Sequence, residues 1–289
     1  MIDADERLQF VHASTINRAS QCLQAVGFDM EHGRPAPYSV ALAFGSSWDR
    51  MQTAVQGKID PWNPNVREPL DGYYAAKMRE GKDLPISETR ELFVECWRQE
   101  GEKVELWEGA NKDDVEAGGL ALLAPWHREH APLVEPLKLQ HSFQLKTSDD
   151  WALRGTIDLV AQIRGWDKPC AMDLKTSKAK WPTSKFTNNI QAMQYMCAVE
   201  NDPELPGDPN VFNWEIAVKT KVPQIQSGVT PSTPEQRAAH LEHASKLRKL
   251  LRFCIETDTW TPNRGSWLCS RKFCPHADAC EARWGGEIA

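Results

Sequence analysis

Three charged residues near the middle of the chain could carry out metal-assisted chemistry. Asp158 follows a Gly-Thr-Ile run, and Asp173 and Lys175 stand two residues apart in a second apolar run. Two carboxylates that lie close together suit Mg²⁺, which prefers oxygen ligands. A neighbouring ammonium group can orient an attacking water or offset charge that develops on a phosphate. An Asp-x-Lys pair by itself is most often a solvated ion pair, so the elements around it must decide.

Two strands are predicted to position these residues. Residues 153–160 and 170–176 alternate between apolar and polar positions, as half-buried strands do. Residues 164–169 between them have the composition of a turn. The two aspartates and the lysine are therefore expected to meet at the edge of a small sheet. Charges inside strands are costly unless they are paired or bind a metal, which favours a functional site.

A helix is predicted at 183–199, directly after the second strand. Gln191 and Tyr195 are four residues apart on it and so share one face. The order is Gly-x-Ile-Asp, a turn, Asp-x-Lys-Thr, and then Gln-x-x-x-Tyr on a helix. In this order the sequence resembles the PD-(D/E)XK nuclease superfamily, specifically its RecB-like branch, which includes CRISPR-associated adaptation nucleases and AddB-type nuclease domains.

The resemblance implies a role for each of these residues. Asp158 and Asp173 fall on the family's metal-binding aspartates, and Lys175 falls on its catalytic lysine. Gln191 and Tyr195 fall on its QxxxY motif. The implied cofactor is Mg²⁺ or Mn²⁺; Lys175 would position the hydrolytic water, and the QxxxY residues would orient DNA or the lysine.

Further metal ligands are implied by the same resemblance. The backbone carbonyl of Leu174 would join the two aspartates. RecB-like nucleases carry Gly-x-x-x-His with a metal-binding histidine; here a helix is predicted at 39–55, with Asp49 standing at that position after Gly45. Aspartate is a competent oxygen ligand, and an ordinary surface aspartate is the alternative. Glu135, at the start of a strand-like stretch, sits where many members place an additional acidic ligand.

The cysteines predict a second metal site. In a cytoplasmic protein the eight cysteines should not form disulfides. Cys269, Cys274 and Cys280 form C-x4-C-x5-C in a tail with little apolar content, which a metal could order. The resemblance implies Cys22 as fourth ligand of a [4Fe–4S] cluster, whereas Zn²⁺ with four thiolates, or with three and His276, stays open. The other cysteines fall in apolar stretches and are predicted to be buried: Cys96, Cys170, Cys197 and Cys254.

Composition bounds the class of protein and its partners. Hydrophobic residues make up 41% and charged residues 26% of the 289 residues, which is ordinary for a globular protein. No apolar run could span a bilayer and the amino terminus does not resemble a signal peptide, so we expect a cytoplasmic protein without a membrane partner. The net charge of −6 does not indicate nucleic acid, although lysines cluster around the motif. DNA is nonetheless the predicted partner.

The predicted fold is α/β: a restriction-endonuclease-like core with a central mixed sheet flanked by helices, a helical N-terminal portion and a cysteine-rich C-terminal tail. The predicted divisions, within one integrated domain, are 1–130, 131–260 and 261–289. Residues 56–90, rich in Gly, Pro, Asp and Asn, are predicted to be an irregular insertion. The remaining predictions are helices at 14–22, 87–107, 113–130 and from 233 onward, strands at 134–145 and 211–220, and a loop at 222–232.

The implied function is metal-dependent DNA cleavage by an exonuclease acting on single-stranded or end-containing DNA, in recombination, repair or phage DNA processing. A recombination or replication protein is a further partner left open. One alternative is a non-cleaving DNA-binding or assembly subunit that keeps the fold. Another is an enzyme that acts on RNA or another phosphodiester. Oligomeric state, strand preference and the polarity of digestion stay open.

Overall fold

A computed structural model describes residues 8–33, 38–57, 85–107, 109–148, 151–187 and 189–288. Its helices are α1 (Ala13–Gln21), α2 (Leu23–His32), α3 (Val40–Gly57), α4 (Ile86–Glu102), α5 (Lys112–Pro125), α6 (Thr183–Thr187), α7 (Ile190–Asn201), α8 (Pro234–Thr257) and α9 (Ala277–Trp284). A π-helical turn (Trp126–His130) and a 3-10 turn (Ala131–Leu133) follow α5. Its strands are β1 (Phe10–His12), β2 (Val134–Ser148), β3 (Trp151–Ile163), β4 (Cys170–Ser177), β5 (Val211–Val218) and β6 (Gln224–Pro231).

The described strands form one mixed sheet. Strands β1, β3, β4, β5 and β6 lie side by side in that order, and β2 pairs with β3. The pairs β1–β3 and β4–β5 are parallel, whereas β3–β4 and β5–β6 are antiparallel. A mixed sheet with helices before, between and after its strands confirms the predicted α/β class and the helical N-terminal portion.

The two strands predicted to carry the motif are both present. The antiparallel pairing of β3 with β4 confirms the hairpin, and Gly165 in the connection has a φ of 87°, which favours glycine. Strand β4 lies between β3 and β5, so its residues from Cys170 to Leu174 are all buried, on both faces of the strand. Asp173 is consequently fully buried. The expectation of a half-buried strand at a sheet edge was therefore wrong for β4, which lies inside the sheet.

Contacts along the chain divide it into two compact units. The central unit consists of Pro37–Phe143 and Thr156–Thr233; the terminal unit consists of Met1–Ala36, Gln144–Gly155 and Pro234–Ala289. The proposed division into 1–130, 131–260 and 261–289 stays a prediction.

Aromatic side chains fill the core of the central unit. Phe44 and Trp48 of α3 pack on Phe93 and Trp97 of α4, and Trp48 also contacts Trp126 edge-on. These rings are at most 2% exposed. Trp48, Trp97 and Trp126 therefore serve packing, as large aromatic side chains usually do.

The terminal unit buries a cation, Arg248. Arg248 on α8 donates from Nε to the carbonyl of Leu8 at 3.1 Å, and its guanidinium lies 5.6 Å from the Trp151 ring centroid. It is 5% exposed and therefore belongs to the packing of this unit. The four cysteines predicted to be buried are confirmed: Cys96, Cys170, Cys197 and Cys254.

Two predictions of secondary structure were wrong. Residues 222–232 are mostly strand β6, which pairs along its whole length with β5 at the end of the sheet order. The residues of an edge strand are half exposed, so its polar composition looked like a loop. The helix predicted at 183–199 is two helices, because Asn189 accepts hydrogen bonds from Gln191 and Ala192 and so begins α7 as its N-cap.

Most of the predicted insertion at 56–90 lies outside the described residues. None of the helices in the described ranges combines the length and the apolar character that crossing a bilayer requires.

Candidate active site and cysteine cluster

Asp158, the first predicted ligand, lies where β3 and β4 stop pairing. The β3–β4 ladder runs from Ala161–Cys170 to Leu159–Met172, and Asp158 is the next residue of β3. Its Oδ2 accepts a hydrogen bond from the backbone N–H of Leu174 at 3.2 Å. The carboxylate thus takes the place of a backbone partner where the ladder ends, and this fixes its position between the two strands.

The structure brings Asp173 and Lys175 to the same place. The carboxyl groups of Asp158 and Asp173 interact electrostatically, and Lys175 Nζ forms an ion pair with Asp173 Oδ2. Asp173 is fully buried, whereas the Lys175 side chain is 35% exposed. The cluster therefore has a buried acidic end and an ammonium group that reaches toward solvent.

Asp49 joins this cluster from α3. It is half-buried, its Oδ1 has no hydrogen-bond partner among the described residues, and it interacts electrostatically with Asp158 and Lys175. Gly45, one helical turn earlier, faces β4: a Cβ built there would make an ordinary contact, 3.7 Å from Thr176 Oγ1. Asp49 is therefore part of the cluster and is not an isolated surface residue.

Crowding of the three carboxylates shifts their proton affinities. Burial and the charge of Asp158 raise the pKa of Asp49 to about 7 and that of Asp173 to about 8, and burial also raises the pKa of Asp158. Burial lowers the pKa of Lys175, but the three carboxylates outweigh it and raise that pKa. One ammonium against three carboxylates leaves an excess of negative charge in a desolvated site.

The chemistry of this donor set fits a hard divalent cation. Mg²⁺ and Mn²⁺ take carboxylate oxygens, and a divalent charge relieves the repulsion that raises these pKa values. The Oδ1 atom of Asp49, for which the described residues offer no hydrogen-bond partner, is an oxygen ligand of the required type. Among the described residues, no three His, Cys, Asp or Glu side chains are grouped closely enough to hold a metal ion as they stand. Metal binding here would therefore draw the carboxylates together.

Gln191 and Tyr195 hold one of the carboxylates. Gln191 Nε2 donates to Asp173 Oδ1 at 2.6 Å and to the Tyr195 hydroxyl at 3.0 Å. Tyr195 is 7% exposed and packs edge-on against Phe143. The two residues share the face of α7 that the spacing predicted, and in this structure they orient Asp173.

Two other predicted ligands have a less direct place. Glu135 is half-buried at the start of β2, and it is not among the main charges that shift the pKa of Asp158, Asp173 or Lys175. The N–H of Leu174 is next to the cluster; a role for its carbonyl stays a prediction.

A further buried carboxylate, on the strand next to the cluster, was missed by the sequence analysis. Glu215 on β5 accepts hydrogen bonds from Gln52 Nε2 at 2.5 Å and Trp126 Nε1 at 2.9 Å, and burial raises its pKa to about 7. It pairs in register with Leu174 on β4, so it lies on the strand adjacent to the cluster. A glutamate within an apolar strand, VFNWEIAV, was the signal available.

The four cysteines of the predicted second site lie together in the terminal unit. They line one cavity, along with Phe28 and Leu268: Cys22, Cys269, Cys274 and Cys280. The backbone N–H of Asn263 donates to Cys22 Sγ at 3.4 Å. In the part of the chain that the structure describes, no three of these side chains are grouped closely enough to hold a metal ion as they stand.

His276 has a different environment from these cysteines. Its Nε2 lies 2.7 Å from Asp29 Oδ1, its ring packs on Phe28, and it is 3% exposed. Asp29 also forms an ion pair with Arg18. His276 is not one of the residues that line the cysteine cavity, so the local donor set there is four thiols.

Comparison with known proteins identifies a family. The model of the PD-(D/E)XK nuclease superfamily matches residues 70–281, well over half of the chain. No curated protein is significantly similar in sequence.

Proposed function

The chain belongs to the PD-(D/E)XK nuclease superfamily, and on this premise we propose that it is a Mg²⁺- or Mn²⁺-dependent deoxyribonuclease. We infer an exonuclease of the RecB-like branch that hydrolyses single-stranded or end-containing DNA in the cytoplasm, in recombination, repair or phage DNA processing. The observation that carries the proposal is the convergence of Asp49, Asp158, Asp173 and Lys175 where β3 and β4 separate.

Each residue of the cluster has a task in phosphodiester hydrolysis. Asp49, Asp158 and Asp173 would hold the cation, which when bound supplies charge neutralisation at the scissile phosphate. Lys175 is the half-exposed member, so its ammonium can orient the attacking water and offset charge on the phosphate. Gln191 fixes the orientation of Asp173 through its 2.6 Å hydrogen bond, and Tyr195 in turn fixes Gln191. Glu135 and the Leu174 carbonyl are retained as further ligands.

A cleavage assay with a lysine variant tests the proposal. We expect the wild type to digest DNA with Mg²⁺ or Mn²⁺ and not with EDTA. The kcat of Lys175→Met should fall at least about 100-fold, as is typical when a group that stabilises the transition state is removed. Lys180→Met, which removes an exposed lysine of the same segment, should keep full activity. A wild type that binds DNA but shows no metal-dependent cleavage would instead support the non-cleaving subunit. A panel of DNA and RNA substrates decides between the two nucleic acids.

We further propose that the four cysteines lining the terminal-unit cavity bind a [4Fe–4S] cluster that stabilises this unit. The four-thiol lining supports a site of four cysteines over three thiols with His276, whose Nε2 is engaged with Asp29. Amide N–H donation to a ligand sulfur, as from Asn263 to Cys22, is typical of such clusters.

Metal analysis of anaerobically purified protein tests this second proposal. We expect a brown protein containing iron and acid-labile sulfide, with both reduced in Cys22→Ser and unchanged in Cys254→Ala, a buried cysteine away from the cavity lining. A colourless protein with stoichiometric zinc would establish the zinc alternative. Protein free of both metals would refute the site.

A further inference from the structure

A pocket of ≈440 Å³ lies in the central unit at the ends of β4 and β5. Its volume is in the range of small-ligand sites. The walls are mostly apolar, from α3, α5 and the segment after α4, and its charged groups are Lys178, Lys219 and Asp114. The pocket is therefore an apolar cleft with an excess of positive charge, in a chain whose net charge is −6.

The pocket lies close to the carboxylate cluster along the chain, just beyond the end of β4. Lys178 follows Lys175 by three residues, a separation of roughly 10 Å along extended backbone. The backbone N–H of Lys219 donates to the Ser177 carbonyl at 2.8 Å, so the ends of β4 and β5 bring both lysines to one place. A DNA strand rises by about 3.4 Å per nucleotide, so the pocket lies within a few nucleotides of the cluster.

One of the two lysines is held in position before any ligand binds. Lys219 Nζ lies 4.1 Å from the centroid of the Phe44 ring, and Phe44 is 1% exposed within the core. Burial, with the charge of Lys178, lowers the pKa of Lys219 to about 8. An anion bound between the two ammonium groups would remove that repulsion.

An aromatic ring on the same wall offers a surface for stacking. Trp107 is half-buried at the pocket, and its ring is fixed by an edge-on contact with Trp97 at 6.3 Å between centroids. An anion site beside a half-exposed indole matches the two parts of a nucleotide, a phosphate and a base, and base–aromatic stacking is tolerant of sequence.

We propose that this pocket binds a nucleotide of the DNA strand that lies a few nucleotides from the cleavage point. Its phosphate would lie between Lys178 and Lys219, and its base would stack against Trp107. The inference rests on the proposed nuclease function. It adds a contact that holds the DNA strand in a fixed position relative to the cleavage site.

Binding of a fluorescein-labelled oligothymidylate 20-mer, measured by anisotropy with Mg²⁺ in the cleavage-deficient Lys175→Met protein, tests the inference. We expect Lys178→Ala, Lys219→Met and Trp107→Leu each to weaken binding about tenfold. Each lysine variant should also lower the slope of log K against log salt by about 0.7, the value for one phosphate contact in single strands. In proteins that retain Lys175, the KM for DNA should rise while kcat stays near the wild-type value.

Lys221→Ala is the matched control, because Lys221 is an exposed lysine two residues from Lys219 that does not line the pocket. Thermal melting verifies folding, and Lys178 is exposed, so its variant tests the pocket even if Lys219→Met is unstable. Equal affinity, slope and KM in Lys178→Ala and Lys221→Ala would overturn the inference while metal-dependent cleavage still stands. A wild type that neither binds nor cleaves DNA would overturn both proposals.

Discussion

Asp49→Asn provides a direct test of the crowded carboxylate cluster, because it removes a charge and nearly preserves shape. The pKa of Asp49 rises from its ordinary value of 3.8 to about 7, for which burial and the charge of Asp158 are responsible. Ionising Asp49 in the folded protein therefore costs roughly 4 kcal/mol more than in the unfolded chain. The variant relieves only part of this cost, because Asp158 and Asp173 remain close to each other. We therefore expect the free energy of unfolding of the metal-free protein to increase by about 1–3 kcal/mol.

The direction of the effect on stability follows from the linkage between ionisation of Asp49 and folding. An unfolded chain ionises Asp49 above pH 3.8, whereas the folded chain resists ionisation until about pH 7, so this group reduces stability progressively as pH rises between those values. The asparagine variant should therefore exceed the wild type in stability most clearly at and above neutral pH. The Oδ1 atom has no hydrogen-bond partner in the described chain, so the amide gives up no bond there.

Thermal melting in EDTA and with Mn²⁺ is the measurement. In EDTA the Asp49→Asn melting temperature should be higher by roughly 2–4 °C for each kcal/mol gained, and Mn²⁺ should stabilise the wild type more than the variant. Asp167→Asn, at an exposed position in the β3–β4 connection, is the charge-matched control. It should change neither the melting temperature in EDTA nor the stabilisation by Mn²⁺. A variant that is destabilised in EDTA and gains as much from Mn²⁺ as the wild type would refute the assignment of Asp49 to the cluster.

Two further predictions concern stability in each unit. Gly119→Ala should destabilise the protein by about 1–3 kcal/mol in urea unfolding, because its Cβ would lie 2.1 Å from the Phe93 ring. Gly118→Ala should be neutral or slightly stabilising, because no atom of the described residues would lie within 4 Å of its Cβ; equal effects of the two substitutions would contradict this packing. His240 is buried, and burial lowers its pKa to about 4. Between pH 6.5 and 4 this histidine is protonated in the unfolded chain but not in the folded protein, so the free energy of unfolding should decrease by up to about 3 kcal/mol as pH falls through that range. His240→Gln should show a smaller loss over that range in urea titrations at each pH, and an unchanged loss would count against the burial of a neutral imidazole.

Local pattern was enough to predict the motif strands. Alternation at 153–160 and 170–176 and the turn between them predicted the β3–β4 pair, since side-chain direction in a strand depends only on position. The same local rule placed Gln191 and Tyr195 on one helix face. It did not identify β6, since the half-exposed residues of an edge strand have the composition of a loop.

The sequence by itself therefore determined the α/β class, the order of the motif and the family, because these depend on residue types and short spacings. Only the tertiary structure decided that Asp49 joins Asp158 and Lys175, that Gln191 holds Asp173, and that Glu215 lies on the adjacent strand. It also placed Cys22 in one cavity with cysteines from the other end of the chain. The reason is physical: contacts between residues far apart in the chain depend on how helices and strands pack, and no short spacing encodes that packing.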